Sequence, residues 1–270
     1  MAGRVEGKKV FITGGAQGLG EAMARALVAE GAQVALADIN FVRAHKLADE
    51  LNRAYDSHPA SAHELNVTDE GQCRRLIRRT IESAGRIDVL IHNAGGGMNA
   101  RFDEMTDISV FEKLMRLNYL GPMYLTHEAL PHLKKSRGRI VVVSSVAGLT
   151  GVPLRTAYSG SKHAVFGLFE SLRIELADQG VSVTMIAPDF VQSQIHMRAL
   201  GPDGKPVGDS TIAERVAMPA DECAALIVGA MERRQRLLIT SLRGKAGRFV
   251  RLIAPRLIDR IAARAIRRGV

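Results

Sequence analysis

The chain has no tryptophan, only two cysteines and only four tyrosines in 270 residues. Cys73 and Cys223 each sit in a stretch of helical pattern, so neither a disulfide framework nor a Cys-x-x-Cys metal spacing exists, and a reduced, cytoplasmic setting is expected. The eight histidines lack the paired spacing of a metal site, so no metal is expected. Apolar residues come in short runs, well below the ~18 needed to span a bilayer. The opening Met1-Ala-Gly-Arg-Val-Glu-Gly-Lys-Lys9 has no apolar core, and a secretory signal is not expected. No repeat, low-complexity tract or interdomain linker appears. At 46% hydrophobic, a chain of this length can bury one large core.

What is present alternates. Strand-type runs lie near 9–13, 33–37, 61–65, 88–91, 139–144, 181–186 and 236–239, with helical periodicity over 18–30, 40–54, 69–84, 107–135, 156–179 and 220–233. This order predicts an α/β fold, a doubly wound parallel sheet with helices on both faces, with a cofactor across the carboxyl ends of the strands. Residues 1–240 form one domain on this reading, and 241–270 a tail.

The run Lys9–Thr13 leads into Gly14-Gly-Ala-Gln-Gly18-Leu-Gly20, and Ala22, Ala26, Leu27 and Ala29 follow at helical spacing. A glycine-rich turn between strand and helix lets backbone approach a pyrophosphate, whose charge is favoured at the helix N-terminus. The spacing is G-x-x-x-G-x-G rather than the commoner G-x-G-x-x-G. Gln33-Val-Ala-Leu-Ala-Asp38 ends a second strand in a carboxylate, 18 positions past Gly20. An acid about 20 residues on bonds an adenosine ribose and repels a 2′-phosphate, which favours NAD over NADP.

Tyr158 and Lys162 stand at i and i+4, one above the other on a helix face. The ammonium is expected to favour the phenolate and lower a tyrosine pKa that normally sits near ~10. Such a tyrosine exchanges a proton with an alcohol or carbonyl oxygen. Ser145 lies thirteen positions upstream, just past the apolar run Ile140–Val143.

With these pieces the chain resembles the short-chain dehydrogenase/reductase family in its short form, from Gly7 to about Thr240. The matching motifs are Thr13-Gly-Gly-Ala-Gln-Gly-Leu-Gly20, Asn93-Ala-Gly95, Asn118-Tyr-Leu-Gly121, Ser144-Ser145, Tyr158-x-x-x-Lys162 and Pro188. The resemblance implies a seven-stranded Rossmann-like sheet of order 3-2-1-4-5-6-7. It implies Tyr158 as acid/base, assisted by Lys162, Ser145 and Asn118, the last holding a water beside Lys162. It implies NAD on Gly14, Gln17, Gly18, Leu19, Gly20, Asp38, Ile39, Asn66, Val67, Asn93, Ala94, Gly95, Tyr158, Lys162, Pro188, Val191 and Ser193. The reaction implied interconverts a secondary alcohol and a ketone. Related enzymes pair the helices 107–135 and 156–179 into tetramers or dimers, and Ala164, Val165, Phe166, Leu168, Phe169, Leu172, Ile174 and Leu176 are apolar around more than one face.

Three positions depart from the family pattern. His92 replaces an asparagine; a satisfied histidine at a strand end accounts for it, with one polar contact near the cofactor altered at most. Asn66-Val67 replaces Asp-Val, and its amide oxygen can still accept from the adenine amino group. Asp189 replaces a glycine, being tolerant of unusual backbone angles.

Phe190 to about Met218, with Gly201-Pro-Asp-Gly-Lys-Pro206 inside it, is expected to be a flexible cover over the substrate. Its Ile195, Met197, Leu200 and Ile212 suggest an apolar, lipid-, steroid- or aromatic-like substrate. An NADPH-dependent 3-oxoacyl reductase is the alternative, opposed by Asp38 and by Gln17, where NADP users often carry a base. A non-catalytic nucleotide-binding scaffold is more distant, since no catalytic residue is lost.

The tail holds nine basic side chains, Arg243, Lys245, Arg248, Arg251, Arg256, Arg260, Arg264, Arg267 and Arg268, against the single acid Asp259, so +8 of the chain's +9 resides there. Phe249, Val250, Ile253, Leu257, Ile258, Ile261, Ala265 and Ile266 recur at three- and four-residue spacing, predicting two short amphipathic helices with Pro255 at the junction. Nucleic acid is disfavoured, because the bases alternate with aliphatics and a lone aromatic. Peripheral contact with an anionic membrane and packing on a neighbouring subunit both stay open.

Overall fold

The computed structural model describes residues 5–55, 60–193, 195–208 and 217–267, the side chains of 265–267 excepted. Ile212 and Arg268 therefore lie outside the described residues, as do the side chains of Ala265, Ile266 and Arg267. Seven parallel strands are β1 (Lys9–Thr13), β2 (Gln33–Asp38), β3 (Ala60–Glu64), β4 (Val89–His92), β5 (Arg139–Val143), β6 (Ser182–Ala187) and β7 (Leu237–Ile239). They lie in the order β3-β2-β1-β4-β5-β6-β7. Chain order reverses between β1 and β4, where Phe11 pairs with Leu90 and Thr13 with His92. A crevice at the carboxyl ends opens at that switch point.

Helices α1 (Gly18–Ala29), α2 (Phe41–Ala54) and α7 (Ala220–Glu232) cover one face, sharing a core of Val10, Ile12, Met23, Leu27, Leu47 and Ile227. On the other, α3 (Glu70–Ala84), α5 (Gly121–Ser136) and α6 (Thr156–Glu175) close over Phe11, Leu90, Ile140, Leu133 and Phe169. Successive side chains of a strand point to opposite faces, so Phe11 and Ile12 feed different layers. Asn40 caps α2 by accepting from the Arg43 N–H at 3.0 Å, and Asp69 caps α3 through Gln72 N–H at 2.9 Å.

Two expectations change. The predicted helix 107–135 is α4 (Ser109–Met115), a π-helical turn Arg116–Leu120, and then α5. The widened turn carries the buried Asn118, which is how a local winding defect comes to sit at a site. The segment expected to cover the substrate is also tied down along part of its length. Leu200 N–H donates to Gly97, Asn99 N–H to Leu200, and the N–H groups of Thr106 and Asp107 to Pro202, so the turn around Gly204 is stitched to the loop after β4. Residues 194 and 209–216 of the cover lie outside the described part.

The tail forms α8 (Leu242–Ile253) and α9 (Pro255–Arg267), with Pro255 at the first position of the second helix, where its missing N–H costs nothing. Among the described residues no helix is long and apolar enough to cross a membrane.

The glycine turn is sterically fixed. A Cβ on Gly20 would sit 2.0 Å from the Gly14 carbonyl oxygen. Gly20→Ala is accordingly expected to lower stability by about 1–3 kcal/mol in urea unfolding. An unchanged midpoint would contradict this packing.

Candidate active site

β1 delivers the chain to Gly14, whose φ of 62° and approach to Ala94 both require a missing side chain: an added Cβ would meet the Ala94 Cα at 2.9 Å. The loop after β4 locks onto this turn. Asn93 Nδ2 donates to the Gly14 carbonyl at 2.8 Å, and the N–H groups of Asn93 and Ala94 both donate to Thr13 Oγ1 at 3.1 Å. Gly18 also has positive φ, and α1 begins without a side-chain cap, so its first-turn N–H groups stay open to a ligand.

A cleft of about 640 Å³ runs from this turn along the carboxyl edge. Of the expected contacts, Gly14, Gln17, Gly18, Leu19, Asn93, Ala94, Gly95, Ser145, Lys162, Pro188, Val191 and Ser193 line it. Gly20, Asp38, Ile39, Asn66, Val67, Asn118 and Tyr158 do not. Asp38 is buried at the end of β2, accepting from the N–H groups of Ala16 (3.1 Å) and Asn40 (2.9 Å), so its carboxylate braces the glycine turn. Ile39 beside it is 70% exposed. Asn66 departs from its expected role: Oδ1 accepts from both Thr68 N–H (3.0 Å) and Thr68 Oγ1 (2.8 Å), which occupies the amide oxygen offered above to adenine.

A dinucleotide fits the cleft. Its pyrophosphate matches the uncapped α1 terminus and the side-chain-free turn, where a Cβ on Gly18 would meet only Ser193 Cβ, at 3.5 Å. Gln17 at this rim accepts from Arg43 Nη1 at 3.0 Å, and Arg43 itself lines the cleft. Sequence reasoning missed Arg43, which has no fixed spacing from the glycines.

At the other end, Tyr158 and Lys162 stand one turn apart on α6, with Lys162 Nζ 5.7 Å from the Tyr158 ring centre. The expected electrostatics is corrected here. Burial pushes the Tyr158 pKa up, with the Ser145 hydrogen bond and the Arg155 charge pulling the other way. Lys162 does not lower it; its ammonium donates to the Val143 carbonyl at 3.0 Å, and burial pushes its own pKa down to about 8. Ser145 Oγ also accepts from Ala147 N–H at 3.1 Å, which fixes its rotamer.

Asn118 uses both amide hydrogens, donating to the Gly96 carbonyl (3.1 Å) and Ser161 Oγ (2.9 Å), while Oδ1 accepts from Gly96 N–H (2.9 Å). It clips the loop after β4 to α6. Gly95 must be glycine there, since a Cβ would lie 2.9 Å from Asn118 Oδ1. Two further groups were invisible in sequence. Arg155 precedes α6 with no side-chain hydrogen bond or ion pair among the described residues, and its charge acts on Tyr158 and His196. His196 lines the cleft, and burial first, then Arg155, pushes its pKa down to about 4. The cleft rim is therefore mixed, Ile195 and Met197 beside His196, Arg198 and Arg43, rather than apolar.

Of the departures, His92 is buried with Nε2 2.7 Å from Thr126 Oγ1, tilted against Phe169 and held neutral by burial at a pKa of about 3. It faces the α5–α6 layer. Asp189 needs no unusual backbone angle. Its carboxylate accepts from both Nε and Nη2 of Arg243, at 3.0 and 2.8 Å, and from Ser241 Oγ at 2.8 Å, so it anchors the tail.

The short chain dehydrogenase family model matches residues 8–201. A dehydrogenase/reductase SDR family protein 7-like from Dictyostelium discoideum is 32% identical, over 93% of this chain and 79% of that protein. An 11-beta-hydroxysteroid dehydrogenase A from Arachis hypogaea is 33% identical, over 96% of this chain and 75% of that one. Among solved structures, a short chain dehydrogenase/reductase from Burkholderia phymatum in complex with NAD superposes with a TM-score of 0.81 at 23% identity, covering 94% and 96% of the two chains. An alcohol dehydrogenase from Thermococcus sibiricus complexed with 5-hydroxy-NADP gives 0.74 at 26%, covering 87% and 96%. The chain belongs to the short-chain dehydrogenase/reductase family and is an oxidoreductase of the alcohol/ketone kind.

The depressed Lys162 pKa is also a statement about stability. Unfolded lysine holds its proton to a pKa near 10.5, whereas the folded side chain releases it near 8, so between these values the unfolded chain binds more protons and stability rises with pH. Against Lys162→Met, wild type should gain about 2–3 kcal/mol between about pH 7 and about pH 10 in urea unfolding. A pH-independent difference would place Lys162 in water.

Proposed function

We propose that this chain is an NAD-dependent dehydrogenase that interconverts a secondary alcohol and a ketone on a largely apolar substrate, with Tyr158 as the acid/base. The observation that carries the reading is that Ser145 and Lys162 line one end of a cleft, with Tyr158 directly behind them hydrogen-bonded to Ser145, while the uncapped, glycine-lined turn forms its other end. The cofactor, when bound, supplies the hydride acceptor or donor at its nicotinamide carbon. Tyr158 Oη holds the proton that the substrate oxygen gains or loses, and Ser145 hydrogen-bonds that oxygen as its charge develops. At rest, burial keeps Tyr158 protonated, the state that donates to a ketone; the Ser145 hydrogen bond and the Arg155 charge favour the phenolate that accepts from an alcohol. Asn118 keeps Gly95 and α6 in register so that these groups face one point.

Asp38 supports NAD. A buried carboxylate already braced by two N–H groups can accept from ribose hydroxyls, and it repels a 2′-phosphate. Arg43 is the observation that favours the second reading, an NADPH-dependent 3-oxoacyl reductase, because its guanidinium reaches the rim at Gln17. Apolar substrate character is supported by the likeness to a protein described as a hydroxysteroid dehydrogenase, with Ile195 and Met197 as the apolar part of a mixed rim. A cytoplasmic location, with assembly through α5 and α6, completes the reading; Ile174 on α6 is 67% exposed and needs cover.

Tyr158→Phe should lower turnover ~10²-fold or more with cofactor affinity nearly unchanged, and near-native turnover would end this mechanism. Titration of both cofactors should show a preference for NAD that narrows in Asp38→Ala. A preference for NADP that collapses in Arg43→Ala would instead establish the second reading.

A further inference from the structure

The tail attaches to the body by its polar side. Arg243 pairs with Asp189, the Arg251 guanidinium donates to the Leu149 carbonyl, and Gly244 lies where an added Cβ would meet Ile239 at 2.8 Å and Val146 at 3.1 Å. At 100° per residue these three positions mark one side of α8, and Leu242, Phe249 and Ile253 occupy the opposite side. That side is bare: Leu242 is 82% exposed, Phe249 65% and Ile253 68%, with Leu252 beside them at 77%. A water-soluble surface helix ordinarily does the reverse, burying its apolar stripe and solvating its charges. In α9, Leu257 and Ile261 are likewise about half exposed, and Arg256, Arg260 and Arg264 flank them.

The charges say what covers these faces. Lys245, Arg248, Arg256, Arg260 and Arg264 make no ion pair among the described residues; Arg248 acts on Glu170 only at a distance, and Glu170 is already paired with Arg236. A second copy of the tail would bring like charge against like charge. An anionic bilayer satisfies both features at once, taking the aliphatic and phenyl side chains at its acyl boundary and the cations at its headgroups. We propose that the outward faces of α8 and α9 form a docking surface for an anionic lipid membrane. Because Asp189 lines the cleft and holds Arg243, docking would set the cleft mouth beside the lipid. The surface itself stands independently of the reading of the active site.

The full chain is sedimented with vesicles of mixed phosphatidylglycerol and phosphatidylcholine, and with phosphatidylcholine alone, at low and high salt. Binding is expected on the anionic vesicles only, falling roughly tenfold at high salt as the cations are screened. Two variants bear on different halves of the surface: Phe249→Ser with Leu252→Ser and Ile253→Ser, and Lys245→Glu with Arg248→Glu. Each is expected to lose at least tenfold in bound fraction with the thermal midpoint kept, since every one of these side chains is exposed. Absence of native binding to anionic vesicles overturns the proposal. So does full binding by both variants. Light scattering guards the remaining case: no lipid binding, with the serine variant reduced to a smaller assembly, would assign the face to a second copy and also overturn it.

Discussion

The close passage of two main chains at the switch point of the sheet governs everything built above it. Thr13 Oγ1 gathers the N–H groups of Asn93 and Ala94, Asn93 reaches back to the Gly14 carbonyl, and the Gly14 N–H donates to Ala37. This lattice holds β1, β2 and β4 at one height. Side chains at Gly14 and Gly20 would push it apart. The cleft is the space left where the helices diverge above that seam, and the uncapped end of α1 gives it a phosphate-sized patch of free N–H groups.

The catalytic end depends on the same seam through Asn118. A π-helical turn brings its amide to Gly96 and Ser161, which ties the loop after β4 to α6 and so to Tyr158 and Lys162. Burial then sets the protonation states. The same desolvation raises Tyr158 and lowers Lys162 to about 8, favouring the neutral form of each side chain.

Most of the fold was legible because each strand is a compact apolar run closed by a turn residue, and each helix has a clear stripe; strand ends moved by one residue in several places, as fraying ends do. The site was legible where its chemistry obeys fixed spacing, as at Gly14–Gly20 and Tyr158–Lys162. It was illegible where the partner is distant in sequence. Arg155, His196 and Arg43 belong to the site by folding alone. Asn66 was assigned to adenine because it stands where the family pattern has an aspartate, but a threonine two positions on takes its oxygen. Asp189 illustrates the same limit: a substitution for glycine suggests backbone freedom, whereas its use is a carboxylate for Arg243, 54 residues away.

The central claim is hydride exchange between a nicotinamide cofactor and a carbinol carbon at this cleft. It is tested most directly by supplying oxidised cofactor and a panel of apolar secondary alcohols deuterated at that carbon, with mass spectrometry of the cofactor. The account predicts deuterium in the reduced cofactor for at least part of the panel, in the native protein and not in Tyr158→Phe. Tight cofactor binding with no label transferred from any alcohol, and none returned to the matching ketones from labelled reduced cofactor, would contradict it.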